Sequence, residues 1–389
     1  MNIPQYIKNI VKKLEDSGHE AYIVGGCVRD ILRGKTPKDW DVTTDATPEE
    51  LMKIFEDGKY ENRFGTVLVP IEKDGEMEDV VEITTYRSEF GYSDRRRPDE
   101  VKFEKEVDKD LARRDFTVNA LAMKKKDSSI PVAEHIKKEH QLEQDGYIIL
   151  DLFGGKKDID KKVIRAVGEP ADRFKEDALR MMRAIRLAVE LDFDLEPKTE
   201  RAIFKMAGAI KFIANERIRD ELIKILESDR AYKGIMMLHN NKLLQYILPE
   251  VEEGVGVKQN RHHVYTVFEH NVYSLKNCPN EDWRVRFTAL IHDVAKPRTK
   301  KIIKGEATFY NHEYVGAKMA NKITKRLKFS NKDAEKITAL VKAHMFYYNV
   351  GEVTESSVRR LIRKVGEENL KDLIDLRIAD RLGSGVPKA

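Results

Sequence analysis

Only two cysteines, Cys27 and Cys278, occur in 389 residues, and no paired spacing relates them. That excludes a disulfide framework and a cysteine-rich zinc site. No apolar run approaches the roughly 20 residues that a membrane-spanning helix needs. The opening residues, Met-Asn-Ile-Pro-Gln-Tyr-Ile-Lys, lack the apolar core of a secretory signal. An excess of one charge is missing too: 71 Lys plus Arg face 67 Asp plus Glu, for a formal net charge of +4. That mild basic balance permits an RNA partner without establishing one. Taken together, the absences predict a reducing, cytoplasmic setting with no membrane contact.

Length is not scarce, and 389 residues suffice for two or more domains with separate cores. Up to about residue 123 the pattern mixes short strands (21–24, 40–43, 64–72, 80–85) with few crossover helices. That favours a small sheet backed by helices. Thr47-Pro48-Glu49-Glu50 reads as an N-cap with proline at the first helical position. A Lys- and Glu-rich stretch, 124–147, reads as an exposed insertion. From about residue 172 nearly everything has helical periodicity, including 174–189, 265–275, 283–294, 313–327, 333–346 and 370–382. Gly254-Val-Gly256 reads as a boundary between helical regions. The last residues, Gly383 to Ala389, carry no capped element, which leaves open whether Ala389 is the native end or a longer chain was cut there. The expected class is α+β: a head with a small mixed sheet, then an all-α remainder.

Chemistry concentrates first at Asp39-Trp-Asp41. Carboxylates at i and i+2 of a strand share a face, so the pair suits a site one metal pair wide. Just upstream, the apolar run 21–24 breaks at Gly25-Gly26 and resumes as a short helix carrying Arg29. A glycine pair lets backbone approach a phosphate, and helix starts attract anions. Either feature alone is more often a turn with solvated acids. Together they suit Mg²⁺-assisted nucleotidyl transfer, where ions stabilise attacking and leaving oxygens. Glu82, in Val80-Val-Glu-Ile-Thr-Thr, is a candidate third acid, with an ordinary exposed strand residue as the alternative.

Glu176-Asp177-Ala-Leu-Arg180 lies in the long helical pattern, where i and i+3 side chains are neighbours. A carboxylate beside a guanidinium offers an acceptor next to donors. Cytosine and adenine present an amino donor beside a ring acceptor; uracil and guanine present the reverse. Such a pair would accept C and A and reject U and G, because a mismatch leaves buried polar groups unpaired. The plain alternative is an exposed salt bridge worth a few tenths of a kcal/mol.

Gly25-Gly26-x-x-Arg29-Asp30, Asp39-x-Asp41, Arg113-Arg114-Asp115-Phe-Thr-Val-Asn119-Ala and Glu176-Asp177-x-x-Arg180 occur in one order and spacing. In this the chain closely resembles the class II tRNA nucleotidyltransferases, that is, the CCA-adding enzymes and their bacterial poly(A) polymerase relatives. The resemblance covers about residues 20 to 230. It implies a polymerase-β-like nucleotidyltransferase head at 1–150, a helical neck and body at 151–256, and a third domain at 257–389. It implies that Asp39 and Asp41 hold Mg²⁺ and that Gly25, Gly26 and Arg29 flank the triphosphate. Arg113, Arg114, Asp115 and Asn119 would orient triphosphate and ribose, and Glu176, Asp177 and Arg180 would read the base. Asp151-x-x-Gly154-Gly155-x-x-Asp158 resembles the family's head-to-neck linker, and Asn215-Glu-Arg-Ile its neck-to-body element. Residues 87–101 resemble the flexible loop of CCA-adding members, which would gate between cytosine and adenine pockets. The alternative there is a basic loop touching RNA phosphates.

Phe287-Thr-Ala-Leu-Ile-His292-Asp293-Val-Ala-Lys-Pro297 resembles the HD phosphohydrolase motif. By that resemblance His270, His292, Asp293 and Asp380 would supply one ion, and His312 and His344 a second. Imidazole and carboxylate suit Mn, Ni, Fe or Zn. His263 is a candidate substrate contact or a loop residue.

The expected activity is therefore template-independent addition of CCA to the tRNA 3' end from CTP and ATP. Phosphatase or cyclic phosphodiesterase activity in the HD domain would come in addition. A poly(A) polymerase or A-adding enzyme shares every motif. A rival of another class is a metal-dependent phosphohydrolase with an RNA-binding head. A third makes the helical half a tRNA support with a vestigial metal site.

Overall fold

The computed structural model describes residues 2–62, 65–73, 76–90, 100–259, 264–346 and 353–385. Residues 91–99, most of the expected gate, and His263 lie outside the described residues. The chain divides into two compact units, residues 1–180 with 193–202, and residues 181–192 with 203–389.

Ten strands of the first unit matter here. They are β1 (Ala21–Val24), β2 (Asp41–Thr44), β3 (Lys59–Asn62), β4 (Thr66–Lys73), β5 (Glu76–Thr85), β6 (Arg87–Phe90), β7 (Glu100–Phe103), β8 (Ala122–Lys125), β9 (Gln141–Gln144) and β10 (Tyr147–Leu150). Eight of them form one sheet in the order β3-β4-β5-β2-β1-β8-β10-β9, and β6 pairs with β7 apart from it. Only the β2–β5 pairing is parallel, so the sheet is mixed as expected. The stretch 124–147 is not a simple insertion. It ends β8, supplies β9 and begins β10, and its charged residues blunt the outer strands.

Apolar side chains from both faces and the connecting segments fix this sheet. Tyr22, Val24, Tyr86, Val107, Leu111, Ala122, Ile136 and Leu150 form a buried cluster. The helix Gln5–Asp16 buries Ile7, Ile10 and Leu14, a period that follows its sequence. Thr47 caps the helix Pro48–Ile54 in a reciprocal capping box with Glu50.

Asp151 organises the end of the unit. Its carboxylate accepts from the amides of Gly155 (2.6 Å) and Lys156 (3.0 Å), starting the helix Gly155–Lys161. Asp158 on that helix accepts from Thr117 (2.5 Å) and from Arg165 (2.9 Å). The helix lies so close to the Thr117–Asn119 turn that a Cβ at Gly155 would fall 2.2 Å from the Thr117 carbonyl oxygen. Gly155→Ala is therefore expected to destabilise the unit by about 1–3 kcal/mol, read by urea unfolding. An unchanged unfolding midpoint would contradict this packing.

The second unit is helical apart from a hairpin, Lys301–Ile303 with Glu306–Thr308, among the described residues. Val285, Ala289, Leu340, Ala343, Val365, Leu373, Leu376 and Ala379 form one core cluster across its helices. No helix of the described residues is long and apolar enough to cross a membrane.

Candidate functional site

β1 ends at Val24, and Gly25 turns the chain at φ +86°, a value that side chains other than glycine rarely tolerate. The helix Gly26–Leu32 begins immediately after. A Cβ at Gly25 would lie 3.1 Å from an Arg114 guanidinium nitrogen and 3.4 Å from an Asp41 carboxylate oxygen. Glycine thus lets backbone, guanidinium and carboxylate meet at one point.

Asp41 opens β2, opposite Val24 of β1 and beside Glu82 of β5 in parallel register. Asp39 does not share the strand, contrary to expectation. It sits in a bend two residues earlier, exposed, with Trp40 buried between the two acids. Anchoring Trp40 in the core displaces the strand start by one residue. The carboxylates still interact. Burial pushes the Asp41 carboxyl up, the Arg114 charge opposes this, and Asp39 adds to it. Burial, then Asp41, Glu61 and Asp39, push Glu82 up as well. Asp39, Asp41 and Glu82 thus lie near enough at this strand end for their charges to interact, although their oxygens do not close to within 4.8 Å of one another.

The second layer of the site is a hub that sequence reasoning missed. Asp110 is completely buried and accepts from Arg113 Nε and Nη2 (3.0 and 2.7 Å) and from Arg114 Nη2 (3.1 Å). Its own burial opposes ionisation, but the two guanidiniums prevail and its carboxyl stays below the usual value. The available signal was positional: Asp110 precedes the arginines by three and four residues at a helix end. Arg29 Nη1 donates to Asn119 (2.7 Å), tying the glycine helix to the Thr117–Asn119 turn. Asp115 is buried, and its carboxylate accepts from the Phe116 amide (2.9 Å).

The Glu176–Arg180 segment differs from the sequence expectation. One helix, Pro170–Glu176, ends at Glu176; Asp177 is extended; a second helix, Arg180–Leu191, starts at Arg180. Asp177 breaks the run because its carboxylate accepts from the Leu179 amide (3.0 Å), a local bond that competes with helix continuation. The guanidinium of Arg180 pairs with Glu176 and donates to the carbonyls of Arg173 (3.2 Å) and Arg113 (3.4 Å). Arg180 is thereby held against the backbone of the arginine pair. Glu176 positions it.

A second constellation lies within the helical unit. His270 stands on the helix Val267–Lys276, His292 caps Trp283–Ile291, and Asp293 follows. His312 begins His312–Arg326, His344 caps Asn331–Ala343, and Asp380 lies on Leu370–Gly383. All six are buried. His270 Nε2 lies 3.2 Å from Asp293 and 3.2 Å from Asp380, and His292 Nε2 lies 3.5 Å from Asp293. His312 and His344 face the other Asp293 oxygen at 3.2 and 3.6 Å. Two trios, His270-His292-Asp293 and Asp293-His312-His344, each keep their ligand atoms within 4.8 Å of one another.

The imidazoles are oriented for ligation. Nδ1 of His292, His312 and His344 faces the carbonyls of Ala289, Phe309 and Val341 at 2.8, 2.7 and 2.7 Å. A carbonyl only accepts, so each Nδ1 carries the proton and each Nε2 offers a lone pair to the centre. Asp293 is ion-paired to Lys296 (2.5 Å), yet neither of its buried oxygens receives a well-directed hydrogen bond. Burial alone would push His270 down, but the carboxylates of Asp293 and Asp380 beside it hold it up at about 9. The donor set would fit metal binding, and Asp293 belongs to both trios. Lys296, which also donates to Gln259 (2.7 Å), was not anticipated.

Family models match three segments: a poly(A) polymerase head domain at 21–165, a probable RNA and SrmB binding site of polymerase A at 192–254, and an HD domain at 267–384. The chain belongs to the tRNA nucleotidyltransferase and poly(A) polymerase family. It is 38% identical over 270 residues to a CCA-adding enzyme of Bacillus subtilis, covering 68% of this chain and 59% of the relative. It is 36% identical over 294 residues to an A-adding tRNA nucleotidyltransferase of Deinococcus radiodurans, covering 73% and 62%. The crystal structure of the Bacillus stearothermophilus CCA-adding enzyme in complex with CTP superposes with a TM-score of 0.70, at 26% identity. That match covers all of this chain and 80% of the other. The chain spans about half to three-fifths of the length of the curated relatives it matches. Both halves belong to metal-dependent families.

Proposed function

We propose that this chain adds CCA to the 3' end of tRNA from CTP and ATP without a nucleic-acid template, a reaction of the cytoplasm. The observation that carries the reading is the meeting of Asp41, Glu82, Gly25 and Arg114 at one strand end. Asp39, Asp41 and Glu82 would hold magnesium. When bound, it supplies Lewis-acid stabilisation of the attacking and departing oxygens. Gly25 and Gly26 let the triphosphate approach the backbone; Arg29, Arg113 and Arg114 neutralise its charge; Asp115 and Asn119 orient the ribose. Asp177 and Arg180 select the base, and Glu176 fixes Arg180. In this reading the head is 1–150, the neck and body 151–256, and the HD domain 257–389.

One observation favours a second reading, addition of the terminal A alone. The relative named A-adding aligns over 73% of this chain. Supplying each nucleotide singly to tRNA ends of different length separates the two, because an A-adding enzyme leaves CTP unused.

For residues 257–389 we infer a second metal centre for Mn, Ni, Fe or Zn, acting on phosphate monoesters or 2',3'-cyclic phosphates. Its support is the pair of buried trios sharing Asp293. His292→Ala is expected to lose at least half of the bound transition metal, read by elemental analysis, while nucleotide addition stays within twofold of the parent. Loss of nucleotide addition together with the metal would place transfer in the wrong half.

A further inference from the structure

The family-matched RNA-binding segment ends at residue 254. A cationic cluster of another kind lies beyond it. Tyr314, on the helix His312–Arg326, is 48% exposed. Lys318 and Lys322 follow at i+4 and i+8, so the three side chains form one exposed stripe. Two further helices each bring an ammonium to the same ring. Lys342 Nζ, from Asn331–Ala343, lies 6.0 Å from its centroid, and Lys364 Nζ, from Glu355–Val365, lies 5.7 Å away. Lys364 also donates to the Lys342 carbonyl (3.3 Å), which fixes the two as neighbours.

Two other cations on these helices are neutralised locally. Arg359 pairs with Glu355 (3.1 Å), and Lys336 with Asp282 and Asp372 (2.9 and 2.7 Å). Lys318, Lys322, Lys342 and Lys364 have no acidic ion-pair partner among the described residues. Burial, and next to it the charge of Lys342, push Lys364 down, with Glu313 offsetting part of this. Like charges gathered around an open aromatic face cost stability in the free protein. A bound polyanion removes that cost.

We propose that this face of the helical unit is an RNA-docking surface: Lys318, Lys342 and Lys364 take phosphate groups, and Tyr314 stacks an unpaired base. The choice of RNA rests on the preceding functional reading and on the ring. An RNA strand uses both features at once, its phosphates on the ammoniums and an unpaired base on the ring.

The experiment measures binding of a tRNA transcript lacking its 3'-terminal adenosine, by the full chain, across a salt series. For the triple variant Lys318→Gln, Lys342→Gln, Lys364→Gln, Kd is expected to rise about tenfold or more, and the slope of log K against log salt to shrink by about one per lysine. Tyr314→Ala is expected to weaken binding about tenfold with the slope unchanged. Nucleotide addition at saturating RNA stays within twofold in both. Unchanged Kd and slope, with the parent adding nucleotides normally, would overturn the surface. Altered vesicle binding (phosphatidylserine in phosphatidylcholine) with RNA affinity unchanged would overturn it too. If the parent binds RNA with this lysine-dependent slope but adds no nucleotide, the surface stands and the transferase reading falls.

Discussion

Asp41→Asn is expected to lower nucleotide incorporation about a thousandfold, with tRNA affinity within twofold of the parent. In the proposed reading Asp41 is an anionic ligand for magnesium, whose loss removes several kcal/mol of charge stabilisation, and each 1.36 kcal/mol is about tenfold in rate. A second readout separates this from simple misfolding. Asp41 is partly buried beside Asp39 and Glu82, and the three carboxylates repel one another without a cation. Neutralising one should leave the metal-free melting temperature unchanged or raise it, and should abolish the upward shift that magnesium gives the parent. Incorporation near the parental rate would remove Asp41 from the chemistry.

Arg180→Ala is expected to collapse discrimination. The ratio of kcat/KM for CTP over UTP should fall about a hundredfold, since a base-reading site that loses its donors no longer leaves the wrong base unpaired. Glu176→Ala should give a smaller loss in the same direction, because the Glu176 carboxylate holds the guanidinium while the Arg173 and Arg113 carbonyls still accept from it. Asp177→Ala combines two effects, loss of an acceptor and loss of the bond to the Leu179 amide. Urea unfolding distinguishes them. If UTP and GTP remain excluded in the Arg180 variant, base selection lies elsewhere.

Much of this site is legible in the sequence because local chemistry fixes it. Gly25 is needed for a positive φ beside Asp41, and the apolar run before it is a strand whose end must carry the site. Three of the histidines, His292, His312 and His344, fall into place because each caps or begins a helix that the apolar period defines. Other features depend on tertiary context. The apolar period runs unbroken through 174–189, and it does not reveal that Asp177 satisfies a backbone amide and splits the run in two. β9 and the start of β10 read as polar insertion because outer strands carry charged residues to solvent. Asp110 lies at the end of a charged stretch, 88–110, that reads as turn, although it binds both arginines of the most specific motif. Glu82 gains its place from the parallel register of β2 and β5, a pairing no local pattern announces.

The most direct test offers the full chain a tRNA lacking all three terminal nucleotides, with CTP as the sole nucleotide. Two cytidines followed by arrest, and one adenosine once ATP is added, is the predicted outcome. Runs of adenosine from ATP with CTP ignored, or no extension in the presence of magnesium, would contradict it.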